Sequence, residues 1–95
     1  MITDKILTKF KNRMHLGDYE DDNLMDILTK SATALKNDCG NYDMTDEAFE
    51  ELVFERSRYV YNDALEFFED NFLSEINKLS LRKALDEMSE SDETI

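Results

Sequence analysis

The sequence predicts an all-α fold: a small helical bundle with a long third helix and a short C-terminal segment after it. Three observations predict this. Apolar residues recur at three- and four-residue spacing along most of the chain. Proline is absent, so nothing forbids long helices. Only Gly17 and Gly40 stand as natural punctuation. Ninety-five residues make one domain, assigned to residues 1–88, with 89–95 read as an acidic, disordered tail.

The first helix is expected from Thr3 to Leu16. Ile2, Ile6, Leu7, Phe10 and Met14 form its apolar stripe, and Lys5, Lys9, Lys11 and Arg13 face elsewhere. Gly17 is expected to end it in the left-handed conformation. The second helix is expected from Asp21 to Cys39, because Asp18-Tyr19-Glu20-Asp21-Asp22 suits the positive end of a helix dipole. Leu24, Ile27, Leu28, Ser31 and Leu35 form its buried face, and Gly40 is its stop. Thr45 is expected to cap the third helix, which the pattern extends to Phe72, roughly 42 Å at about 1.5 Å per residue. Phe54, Tyr61, Leu65 and Phe72 lie off its main stripe; the first two helices can cover one side of it, and a neighbouring subunit is expected to cover the rest. Beyond it, Ile76, Leu79, Leu81, Leu85 and Met88 fit a short helix, and the 79, 81 spacing also fits an extended piece.

Charge narrows the function classes. The 23 acidic and 11 basic residues leave a formal charge of −12. Direct binding to nucleic acid or to an anionic membrane is disfavoured, since both need Lys and Arg. No apolar run approaches the roughly 20 residues of a membrane span. The first residues lack a signal-peptide core and Cys39 has no partner cysteine, so a cytoplasmic chain is expected. Residues 1–16 carry four basic residues and one acidic, and residues 17–55 carry twelve acidic residues and only Lys30 and Lys36 as basic ones, an asymmetry suited to head-to-tail contacts between identical subunits.

No catalytic constellation stands out, and no enzyme activity, cofactor or metal is expected. Asp18-x-Glu20-x-Asp22 resembles the start of a calcium loop, but Asn23 and Thr29 stand where Gly and Glu belong. His15 and Cys39 are too few ligands for zinc. Cys39 as a nucleophile would need a base beside it, and a buried structural cysteine is the better reading. Arg56, Arg58, Tyr59 and Tyr61 are different: Arg and Tyr are enriched at interface hot spots, and a guanidinium can grip a carboxylate with two parallel bonds. The competing reading pairs each Arg with an acid of its own subunit. Ile76, Leu79, Leu81 and Leu85 complete the candidate protein interface.

The segment Leu52-Val53-Phe54-Glu55-Arg56-Ser57-Arg58-Tyr59-Val60-Tyr61-Asn62-Asp63-Ala64-Leu65-Glu66-Phe67-Phe68 carries a resemblance. With the upstream Asp21-Asp22-Asn23-Leu24-Met25-Asp26-Ile27-Leu28 and the trailing Phe72–Leu81, it resembles the head–tail connector, or adaptor, proteins of tailed bacteriophages over roughly residues 1–85. The resemblance implies a virion structural protein at the head–tail junction, present in the host cytoplasm during assembly. It implies a ring of twelve subunits docked on the portal protein, with a stopper or tail-completion protein below. DNA would pass through an acidic channel without specific binding. The segment from Asn71 to Met88 would reach toward the portal. An acidic DNA mimic that inhibits a nuclease or repressor is the alternative that the charge supports.

Overall fold

The structure is a computed structural model that describes residues 2–93, with side chains described through Met88. It is an all-α bundle of four helices, with no strand among the described residues. The helices are α1 (Asp4–Met14), α2 (Asp21–Cys39), α3 (Glu47–Tyr61) and α4 (Phe68–Glu93), with a 3-10 turn, Leu65–Phe67, leading into α4.

Local chemistry sets each boundary. Thr3 caps α1, its hydroxyl accepting from the Ile6 amide at 3.3 Å. His15, and not Gly17, takes the left-handed conformation after α1, at φ 58°. The Leu16 amide reaches back to the Lys11 carbonyl and the His15 amide to Asn12, so two end carbonyls are satisfied there. The second helix runs between the expected bounds and buries the expected face. Asp46, and not Thr45, caps α3, accepting from the Phe49 amide at 3.0 Å. Thr45 is held instead by the Asp43 carboxylate, which accepts from both its amide and its hydroxyl.

The long helix is the fourth, not the third. The chain breaks after Tyr61, where Asp63 adopts φ 55°. The Ala64 amide bonds the Tyr59 carbonyl at 2.8 Å and the Asp63 amide bonds Val60 at 3.1 Å. These are the two bonds of a Schellman ending, made with aspartate where glycine is usual. The chain then turns, and the segment expected to be short becomes α4, about 39 Å long at 1.5 Å per residue. The acidic tail expected over 89–95 lies outside the described side chains, and Thr94 and Ile95 lie outside the described residues altogether.

The core joins all four helices. Phe10, Leu24, Leu28, Leu35, Phe49, Val53 and Phe54 are fully or almost fully buried. The Phe54 ring lies 5.5 Å from that of Phe10, so α1 of the same chain covers it where a neighbouring subunit was expected. The first half of α4 closes the bundle through Phe68, Ile76 and Leu79. A polar latch fixes its position. The buried Tyr42 hydroxyl donates to the Leu79 carbonyl at 2.7 Å and accepts from Arg82 Nε at 3.1 Å, while Arg82 also pairs with Asp46. Gly40 makes room for this crossing: a Cβ there would stand 2.8 Å from the Lys83 side chain, and its φ is 112°.

Candidate functional site

Two features of the surface are not accounted for by the fold itself: the outer face of α4, and a groove floored by Arg56.

The first follows from helical geometry. Ile76 and Leu79 face the core, at 7% and 5% exposure. At 3.6 residues per turn, Leu81, Leu85 and Met88 point about half a turn away from them. They are 61%, 53% and 62% exposed, and Leu73 adds a fourth exposed apolar residue nearer the N-terminal end. Positions 81, 85 and 88 are an i, i+4, i+7 set, the spacing of a second apolar stripe. Past Lys83 every described side chain of α4 is exposed, so residues 84–88 project beyond the bundle. The projection helps make the molecule long, with principal extents of 54 × 28 × 17 Å.

Ile76 and Leu79, expected at an interface, are thus core residues, while Leu81 and Leu85 are free to dock. Met88 and Leu73 belong with them; the 81, 85, 88 spacing carried the signal for Met88.

The second feature separates two arginines that look alike in sequence. Arg58 donates from Nε and Nη2 to Glu55 at 3.0 and 2.6 Å, and its guanidinium lies 5.2 Å over the Tyr59 ring. It is satisfied within its own helix. Tyr59 packs edge-on against Phe68 and Phe72, with centroids at 5.7 and 5.8 Å, and its hydroxyl accepts from Asn71. It fastens α4 to α3. The Tyr61 hydroxyl donates to the Glu20 carboxylate at 2.6 Å, which holds the phenol above its ordinary pKa.

Arg56 has no such partner. Its Nη1 donates to Ser31 Oγ at 3.1 Å, and no carboxylate among the described residues pairs with it. Burial lowers its pKa, and the charge of Asp38 works the other way. A guanidinium has five donors, so most of its capacity is open. It lines a groove of about 730 Å³ between α2 and the corner after α3, with Ile27, Val60 and Leu65 as its apolar lining and Glu20, Asp26 and Lys30 as charged lining, Lys30 being paired with Asp26.

Three of the four basic residues of α1, by contrast, are occupied within the chain. Lys9 pairs with Glu50, Lys11 with Asp18 and Asp21, and Arg13 with Glu51 and Glu55. These residues fasten α1 to the bundle, so the charge asymmetry of the sequence is largely resolved inside one molecule. The same pairs occupy Asp18 of the calcium-like stretch, and its Glu20 accepts from Tyr61. Lys11 holds the Asp18 carboxyl below its usual range, and Arg13 does the same for Glu51.

Cys39 is buried, and desolvation pushes its thiol up to about 11, so it is a poor nucleophile. Among the described residues no group of three or more His, Cys, Asp or Glu side chains is placed to hold a metal ion. None of their helices is long and apolar enough to cross a membrane. No family model matches the chain, and no curated protein or solved structure matches it.

Proposed function

We propose that the protein is a structural adaptor of the tailed-phage head–tail connector type, docking as a ring on the portal, extending the DNA channel and linking head to tail. The observation that carries this reading is the outer face of α4. A chain this small and this acidic exposes Leu81, Leu85 and Met88 on a projecting helix, where exposure to water is unfavourable and docking on another protein is not. The Arg-Tyr-Tyr-Asn segment and the helix order supply the resemblance to that family. The formal charge of −12 suits a channel wall that repels DNA phosphates.

The acidic DNA mimic is the second reading. It is favoured by one observation: Lys9, Lys11, Arg13, Lys30, Arg58 and Arg82 are all paired within the chain, which leaves a surface dominated by carboxylates. It gives no role to the outer face of α4.

Capture of partners by the tagged full chain from its source lysate, read by mass spectrometry and negative-stain imaging, tests the proposal. Recovery of a portal protein with a ring beneath it supports the adaptor. Recovery of a nuclease or repressor without virion components, in a complex that falls apart with added salt, supports the mimic and contradicts the adaptor.

A further inference from the structure

We infer that α1 is a strap held by charge: a basic helix laid across an acidic surface of the bundle, which opens as a unit when salt screens that hold and uncovers Phe54, while α2, α3 and α4 stay folded. This property belongs to the single chain and holds whichever partner the outer face of α4 meets.

The placement of ion pairs is the first argument. Lys9 reaches Glu50 on α3, Lys11 reaches Asp18 in the connecting loop and Asp21 on α2, and Arg13 reaches Glu51 and Glu55 on α3. The other pairs among the described residues do little of this kind. Lys30–Asp26 and Arg58–Glu55 lie within single helices, and Arg82–Asp46 alone ties α4 to the start of α3. Charge therefore fastens α1 far more than it fastens any other helix. Lys9, Asp18 and Glu51 are also well exposed, so dissolved ions reach the pairs.

The wider field acts in the same sense. Residues 1–16 carry four basic residues and one acidic, and residues 17–55 carry twelve acidic and two basic. The strap is thus attracted to the bundle as a whole, and salt weakens that attraction.

The remaining hold is apolar and small beside the core of the other three helices. Within α1 only Leu7 and Phe10 are buried apolar residues, with Ile6 and Met14 half-buried. Leu24, Leu28, Leu35, Phe49, Val53, Ile76 and Leu79 come from α2, α3 and α4 and pack with one another. Packing of Phe10 sets a floor under the cost of opening, and charge sets the part that conditions change. The Phe54 ring lies directly beneath, 5.5 Å from the Phe10 ring and 5.7 Å from the Arg13 guanidinium. Lifting α1 removes both covers at once.

The way out is local. Six residues, 15–20, join α1 to α2 and keep the strap tethered. His15 holds the left-handed conformation there at φ 58°, a cost that opening relieves.

The test is amide hydrogen exchange of the full chain, read residue by residue, at about 0.01 M and about 1 M salt, between which the screening length falls from about 30 Å to about 3 Å. Amides of α1 should lose protection by about tenfold at high salt, the size expected for several exposed pairs together. Amides of α2 and α3 should hold or gain, because salt also screens the self-repulsion of a chain with formal charge −12. Arg13→Gln, which removes the pairs to Glu51 and Glu55, should lower α1 protection at low salt and shrink the salt effect. Lys30→Gln makes the same change of charge at a pair inside α2 and should leave α1 as it is. Protection of α1 that does not change with salt overturns the inference. So does a loss shared equally by α1, α2 and α3, which is global unfolding, or a Lys30→Gln effect on α1 equal to that of Arg13→Gln. Circular-dichroism melting checks that both variants fold; should Arg13→Gln not fold, the wild-type comparison at the two salt concentrations decides the matter alone.

Discussion

The two halves of α4 are one continuous helix with opposite fates. The first half buries Phe68, Ile76 and Leu79 and is latched by Tyr42 and Arg82. The second half carries Leu85 and Met88, residues as apolar as those, and leaves them in water. Apolar residues recur every three or four positions in both halves. What differs is whether another helix lies alongside: α2 and α3 flank the first half, and the second half extends past them. Apolar periodicity therefore reports that a face will be covered and says nothing about which chain covers it.

The largest effect is expected from Leu79→Ala. It removes a buried side chain from the first half, and urea unfolding should show a loss of about 2–5 kcal/mol. A loss under about 1 kcal/mol would mean that α4 is not part of the cooperative bundle.

Tyr42→Phe comes next. It deletes the hydroxyl that links the Leu79 carbonyl to Arg82 while keeping the ring against Phe49. The expected loss is about 1–2 kcal/mol, with faster amide exchange around residue 79 if the latch fixes α4 in place.

Glu51→Gln is smaller, under about 1 kcal/mol at neutral pH, because its pair with Arg13 is largely exposed. Here pH supplies the sign. Arg13 holds the Glu51 carboxyl below its usual range in the folded state. The stabilisation is therefore present above the ordinary carboxylate pKa and is lost as pH falls through the lower folded value. Wild type and variant should differ in melting temperature at neutral pH and converge in acid. A difference that persists in acid would show that packing, not charge, holds α1 down.

Leu85→Asp should leave stability within about 0.5 kcal/mol of wild type, since nothing in the bundle touches the projecting half. Its effect belongs to docking on a partner.

Much of this fold was legible in the sequence, and the failures have physical causes. The second helix was bounded at both ends by an acidic first turn and by Gly40, whose signals are local. The end of α3 was missed because neither glycine nor proline marks it; Asp63 enters the left-handed region at a small steric cost, and only the Asn62-Asp63 pair hinted at it. Phe54 was assigned to a neighbouring subunit because the pattern could not say that Phe10 would cover it. Arg56 and Arg58 were equally good candidates until the fold placed one beside Glu55 and the other over Ser31. A helical wheel locates a side chain on its own helix; its partner depends on tertiary placement.

The most direct test of the account is partner capture by a chain ending at Lys83, run beside the full chain with melting curves for both. The account predicts that the shortened protein melts within a few degrees of the full one, since only the projecting half is gone, and that it loses the portal protein that the full chain recovers. A shortened protein that recovers the portal as well as the full chain would contradict the assignment of the second half of α4 as a docking surface, and one that no longer folds would show that half to be part of the bundle.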